Sequence, residues 1–552
     1  MKEKLSAKSR HHRSSLPLPC SGEALGRGFL LSLLAVMTAL STTETRAADS
    51  NRPAVPKIVV NILIDQLRSD YLEAFMPIYG QDGFMRLLQG GRVYPRAEYP
   101  MVRPDCASAA ATVATGAAPD SHGIVGSYWI NRKTLRTVFC VDDDRYSGIG
   151  GTFEKFSPVN LQVSTLGDEL KVATEGKALV YALAPNPEAA IFSAGHAADG
   201  ALWIDDETGA WCSTSYYGTM PAWATVRSQY YSVKDFLEEN AWKPSSKLVG
   251  NFSYFLSGGM KEPFSHKFKG ENRFASFKTS GLVNAEVAAA AKACLDGTAL
   301  GADAITDYLA VTFYAGNFEH LPLNESSLEL QDTYVRLDRA VADLINAVDR
   351  RVGAGNALFV LTSTGYADTE NTDLSAYRIP TGVFDVRRAA TLLNMYLSAV
   401  YGQGKYIEAC LGTQFYLNHR LVETKQLYLT EVLERSQDFL MQLSGVKDVY
   451  TSQRLAQGAW TPGISRIRAG YNARVSGDIM VEVASGWHYV NEDNHEDQLV
   501  RASFVPYPII FYGYGVPAGK VETPVTVDCI APTLSKAMRI RAPNACASAP
   551  LF

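Results

Sequence analysis

A surplus of positive charge is missing from this 552-residue chain, in which 52 Lys and Arg stand against 57 Asp and Glu for a formal net charge of -5. Gripping a phosphate backbone takes basic side chains gathered on one surface, so no nucleic-acid partner is expected. Histidine is scarce: nine in all, two of them His11 and His12. That leaves a thin supply of imidazoles for a zinc site. Low-complexity linkers, repeats and coiled-coil patterning are absent, and with 47% hydrophobic and 20% charged residues the composition is that of an ordinary globular protein.

The first 48 residues stand apart. Lys2, Lys4, Lys8, Arg10, Arg13 and Arg27 precede the apolar run Phe29 to Leu40, and Arg46-Ala47-Ala48 supplies a small-residue exit. This reads as a secretory signal peptide, since the apolar run is far shorter than the roughly 20 residues a spanning helix needs. Cys20 precedes the run and cannot serve as a lipoprotein cleavage site. The expected product is exported, periplasmic or secreted, with no transmembrane anchor. Export permits disulfides among Cys106, Cys140, Cys212, Cys294, Cys410, Cys529 and Cys546. Their odd number leaves at least one thiol over, and the expected one is Cys106, which opens the small-residue tract running to Thr115, a buried-helix pattern.

Lys57-Ile-Val-Val-Asn-Ile-Leu-Ile-Asp65 is a continuous apolar run ending in a carboxylate, the pattern of a strand buried on both faces. Similar runs lie at Ala178 to Leu183, Tyr308 to Tyr314, Ala357 to Thr362 and Pro508 to Tyr512. Between them, Asp332 to Val352 places Tyr334, Leu337, Val341, Leu344 and Val348 on one helical face. Strands alternating with helices predict an α/β doubly wound sheet with helices on both faces, whose ligands gather at the carboxyl ends of strands. From Asp385 to Leu455 two amphipathic helical stretches, Arg387 to Tyr401 and Thr430 to Leu443, read as an inserted α+β subdomain. The core is then 49–384 with 456–552. Asp478 to Val483 is expected to return the chain to it, and Asp528 to Thr533 to open a closing helix.

Several ordered phrases resemble the alkaline phosphatase superfamily, most closely its threonine-nucleophile phosphatases beside the nucleotide pyrophosphatase and phosphodiesterase branch. They are Ile64-Asp-Gln-Leu-Arg-Ser-Asp-Tyr71, Gly83-Phe-Met-Arg-Leu-Leu88, Pro119-Asp-Ser-His-Gly-Ile124, Ala194-Gly-His-Ala-Ala198, Leu330 to Asp338 and Ile509-Ile-Phe-Tyr-Gly513. The resemblance implies an alkaline-phosphatase-like mixed sheet, two zinc ions held by three Asp and three His, and a hydroxyl nucleophile attacking a phosphorus ester. Paired metal ions clamp the attacking and leaving oxygens and activate the nucleophile.

Carried over residue by residue, the resemblance places the first metal-binding Asp at Asp65 and the nucleophile at Cys106. The next metal Asp falls at Asn317 and its paired His at or beside Leu321, with His320 one place away. The Asp-His-Gly phrase corresponds to Thr364-Gly365-Tyr366, and the last His to Pro506. Phosphate-contacting Asn, Lys and Arg correspond to Ser127, Asn186 and Glu188, and a glutamate repels the dianion an arginine would clamp. Asp65 reads either as a metal ligand or as a cap after its strand, and Cys106 as a small buried hydrophobe or as a nucleophile. His122 and His196 read as turn or cap residues, His488 and His495 as solvated loop residues. Asp368, Glu370 and Asp373 read as a wet loop or a hard-cation site.

The expectation is a pseudoenzyme: the fold kept, dizinc hydrolysis lost, no cofactor bound, and the cleft reused for a ligand or protein partner. One alternative is a divergent metal-dependent phosphomonoesterase or phosphodiesterase that uses zinc through Asp65, His320 and loop carboxylates. Another is a sulfatase-like hydrolase that converts Cys106 to formylglycine, although Ser108 and Ala110 stand where that chemistry needs Pro or Ala and then Arg.

Overall fold

The computed structural model describes residues 55–250, 263–367, 378–458, 461–492, 496–501 and 505–552. The segment read as a signal peptide, the loop carboxylates Asp368, Glu370 and Asp373, and His495 lie outside them.

The strands of the main sheet and of a smaller four-stranded sheet are β1 (Ile58–Asp65), β2 (Arg92–Glu98), β3 (Gly148–Ile149), β4 (Val180–Leu183), β5 (Gly200–Ile204), β6 (Trp211–Thr214), β7 (Asp307–Tyr314) and β8 (Ala357–Ser363). They continue with β9 (Ile407–Leu411), β10 (Gln414–Leu417), β11 (Val446–Thr451), β12 (Ile479–Val483), β13 (Tyr507–Gly513), β14 (Gly519–Lys520) and β15 (Val525–Thr526). Among the described residues the main sheet has 11 strands in the order β14-β2-β13-β8-β1-β7-β4-β5-β6-β3, with β15 also on β2. Its centre, β8-β1-β7-β4-β5, is parallel, while β13 joins β8 antiparallel. The sheet is therefore mixed.

Every residue of β1 is buried, and the strand serves two cores. Ile58, Val60, Ile62 and Ile64 face one apolar cluster, whereas Val59 and Leu63 face the other, as alternation along a strand demands. On the first face lie α3 (Leu282–Gly297) and α4 (Leu323–Val352). On the second lie α1 (Cys106–Thr115), α2 (Pro187–Ala194) and α7 (Ile530–Met538). Alanines keep α1 thin enough to sit close to α2: Ala107, Ala109, Ala110 and Ala111 are all fully buried. Gly116, at φ 64, closes α1 in the left-handed conformation that favours glycine.

A third apolar cluster belongs to α5 (Val386–Tyr401), α6 (Leu429–Leu440) and the four-stranded sheet β9-β10-β12-β11, with Leu393, Leu397, Phe415, Val432 and Val449 at its centre. Here one expectation is corrected. Strand β12 does not rejoin the main sheet but pairs antiparallel with β10 and β11. Its burial alternates, with Ile479, Val481 and Val483 inside and Met480 and Glu482 half-exposed, the pattern of a sheet covered on one face only.

Export permits disulfides, and among the described residues no disulfide joins any two of the seven cysteines; Cys140, Cys212 and Cys294 are buried, the first in a turn, the second in β6 and the third in α3. Among the described residues no helix is long and apolar enough to cross a membrane.

Candidate active site

The carboxyl ends of β1, β7 and β8 are in register, Asp65 opposite Tyr314 and Ile64 opposite Ser363. The N-termini of α1 and α2 point toward the same place. Strand ends and helix starts meet there because parallel strands connected by helices must all deliver their loops to one edge. Asp65, Cys106, Pro185, Asn186, Ala189, Thr312, Phe313 and Tyr314 line a small cavity. The sequence-predicted Asp65, Cys106 and Asn186 are thus brought together, while His320, exposed on the turn after β7, is not among the lining residues. The room between them is about 10 Å³, about what one water needs. Non-glycine residues with left-handed backbone lie beside it in sequence: Gln66 (φ 62) after Asp65, Arg103 (φ 53) before α1, and Glu319 (φ 51) and His320 (φ 55) after Asn317. Strained positions of this kind cluster at functional sites.

Each position at which the resemblance implies a ligand makes bonds within the protein. Thr364 donates its hydroxyl to Asp65 Oδ1 at 2.5 Å, so a neutral donor occupies a carboxylate oxygen that a cation would need. Asn317 is buried and donates from Nδ2 to the Leu321 carbonyl at 2.8 Å. Gly365, which stands where the resemblance implies a His, has no side chain to ligate, and its amide donates to Ser363 Oγ at 3.1 Å. Pro506, which has no donor or acceptor in its side chain, accepts a bond from the Ser69 hydroxyl through its backbone carbonyl at 2.7 Å. Among the described residues no group of three or more His, Cys, Asp and Glu is placed to hold a metal ion. One carboxylate among an amide, a hydroxyl, a glycine, a leucine and a proline does not fit a zinc pair, which takes deprotonated or imidazole donors.

Cys106 is the first residue of α1, and its neighbours explain its state. Asp105 caps the helix through a capping box: Oδ1 accepts from the Ser108 amide at 2.9 Å, and the Ser108 hydroxyl accepts from the Asp105 amide at 3.1 Å. Ser108, which the sulfatase phrase would replace by Pro or Ala, is therefore structural here. The other oxygen, Oδ2, accepts from the amide and hydroxyl of Ser127 at 2.6 and 2.9 Å. Ser127 is thereby turned toward the cap.

Half-buried Cys106 has its thiol pushed well above the usual range, first by desolvation and then by the carboxylates of Asp65, Glu188 and Asp105. A helix N-terminus ordinarily favours thiolate, but burial and three carboxylates outweigh it. Glu188, in the first turn of α2, is itself buried and its carboxyl is raised to about 7 by desolvation, with Asp65 and Asp105 adding to the effect and Lys278 opposing it. Lys278 is engaged by Asp206 at 2.8 Å and by the Ile204 carbonyl at 3.3 Å.

His122 and His196 are satisfied structural residues. His122, fully buried, lies 3.1 Å from the Thr112 hydroxyl and accepts from the Ile124 amide through Nδ1. His196 bridges Asp168 and the Leu161 carbonyl. His488 pairs with Asp497 at 2.8 Å at the surface. The sequence reading missed the bond from Thr364 to Asp65 and the cavity wall formed by Thr312, Phe313 and Tyr314. The signal available for the wall was position, since these residues end a buried parallel strand as Asp65 does.

Sheet order, two helical layers and the site at the strand ends define an α/β fold of the alkaline-phosphatase type. The crystal structure of wild-type alkaline phosphatase PafA superposes on this chain with a TM-score of 0.80 at 28% identity, covering 90% of this chain and 98% of that one. The family model for type I phosphodiesterase / nucleotide pyrophosphatase matches residues 59–504, and the chain belongs to that family. It is 28% identical over 541 residues to alkaline phosphatase PafA of Elizabethkingia meningoseptica, covering 95% of this chain and 98% of the relative. It is 26% identical over 536 residues to alkaline phosphatase PhoV of Synechococcus elongatus, covering 93% and 96%. A protein of Myroides odoratus named calcium-transporting ATPase is 29% identical over 515 residues, covering 89% and 93%.

Proposed function

We propose that this chain is an exported, catalytically inactive member of its family, in which the phosphatase shell has outlived dizinc hydrolysis. The observation that carries the reading is the state of the nucleophile position. Burial first, and then the charges of Asp65, Glu188 and Asp105, push the Cys106 thiol well above the usual range, and it shares with Asp65 a space of about one water. A phosphoester brings negative charge to the reacting centre, and acidic groups around that centre raise the barrier where an attacking enzyme would lower it. Thr364 bonded to Asp65, and Asn317 bonded to the Leu321 carbonyl, support the same reading. Export is supported by the basic stretch, apolar run and small-residue exit of residues 1–48.

The test is turnover of a phosphate monoester and a phosphate diester by the purified protein, with and without added zinc, beside Cys106→Ala. The expected rates equal those of the Cys106→Ala protein. Zinc-dependent turnover that disappears in Asp65→Ala contradicts the proposal.

A further inference from the structure

Two cysteines far from the cavity meet where the C-terminal tail crosses the core. Cys529 ends the short turn Val527–Cys529 that leads into α7, and Cys546 lies in the tail beyond that helix. Ser548 ties the two regions together: its hydroxyl donates to Asp528 Oδ2 at 2.6 Å, and its carbonyl lies 3.8 Å from Cys546 Sγ. Gly116 supplies a common reference point. A Cβ on that glycine would stand 2.9 Å from Cys546 Sγ and 3.1 Å from the carbonyl oxygen of Asp528, the residue whose carbonyl carbon is bonded to the Cys529 nitrogen. The tail is also held by a pair of bonds between Asn544 and Ser164, at 2.9 and 3.1 Å, by the Leu551 amide donating to Thr533 Oγ1 at 2.9 Å, and by Phe552 packing edge-on against Phe511 at 5.1 Å. Both cysteines are half-buried, so a donor disulfide can reach them, unlike the fully enclosed Cys140, Cys212 and Cys294.

We propose that Cys529 and Cys546 are a disulfide site that fastens the C-terminal tail to the start of α7. One cysteine thiolate attacks a donor disulfide, such as glutathione disulfide, forming a mixed disulfide and expelling one donor thiolate. The second cysteine thiolate then attacks the protein sulfur of that mixed disulfide and expels the other donor thiolate. Two protein thiols are oxidised, one donor disulfide is reduced to two thiols, and the two protons pass to the donor. Burial raises both cysteines above the usual thiol range, so the exchange runs faster as pH rises. The inference needs an oxidising donor and does not depend on the loss of catalysis.

The full-length protein, equilibrated with glutathione disulfide and then alkylated with iodoacetamide, is digested without reduction and its peptides weighed. One cross-linked peptide joining positions 529 and 546 is expected, about 2 Da lighter than the sum of the two thiol peptides because two hydrogens are lost. Cys529→Ser and Cys546→Ser each abolish it. Full alkylation of both cysteines after equilibration overturns the proposal. So does a cross-link from either one to a different cysteine, such as one reached by Cys106 or Cys140.

Discussion

Replacing Glu188 by Gln removes a carboxyl that the fold holds in an unfavourable place, and the size of the effect follows from its surroundings. Burial raises this group from 4.5 to about 7. An acid whose folded value lies above its unfolded one binds its proton more tightly in the native state, so its cost is absent below the unfolded value. That cost grows as pH rises through the window between the two and is complete above about 7. The window from 4.5 to about 7 corresponds to about 3 kcal/mol as an upper bound. Urea unfolding of wild type and Glu188→Gln at a series of pH values measures this directly. Glu188→Gln is expected to gain up to about 3 kcal/mol on wild type between pH 4.5 and pH 8.5. Parallel pH profiles for the two proteins would refute the reasoning, because they would mean that Glu188 ionises in the fold as it does in water. The same variant should bring the Cys106 thiol down, since Glu188 is one of the carboxylates holding it up.

Three further outcomes follow from the geometry. Iodoacetamide at pH 8 should label Cys106 in the folded protein far more slowly than in urea, because the reactive species is the thiolate; equal rates would remove the account of its protonation. His122 is held down to about 3 by burial, so as pH falls below its unfolded value the unfolded chain takes up a proton that the fold refuses. Stability should drop by about 3 kcal/mol between pH 6.5 and 4, and His122→Gln should flatten that slope in acid denaturation curves. Gly83→Ala should cost about 3 kcal/mol in thermal or urea unfolding. Its Cβ would stand 2.2 Å from Asp338 Oδ1 and 2.4 Å from the Asp338 carbonyl oxygen, while Asp338 is already fixed by the amides of Gly80 and Phe84.

The fold was legible where burial is two-sided. The run Ile58 to Asp65 has no polar alternation to hide its character, and the alanine tract after Cys106 is what a helix pressed against another helix requires. The long helix was read from Asp332 but starts at Leu323 after Pro322, since its first turns carry Asn324 and Glu325 and lack the apolar stripe. Strand β12 was misplaced because Ile479, Val481 and Val483 were read as another core run, although Met480 and Glu482 between them mark a sheet with one wet face. At the site, Asp65 and Cys106 could be located because each ends or begins an element in a recognisable phrase. Thr364 against Asp65, and Glu188 among the charges raising Cys106, join residues distant in sequence, and no local pattern encodes which loops the sheet order brings side by side. Cys529 and Cys546 were visible as residues but not as neighbours for the same reason.

The most direct test of the central claim is metal analysis of the purified protein after equilibration with zinc and removal of the unbound ion. Less than one zinc per chain, unchanged by Asp65→Ala, is the result the donor set dictates. Two tightly held zinc ions per chain, lost in Asp65→Ala, would contradict it and return the protein to the company of working phosphoesterases.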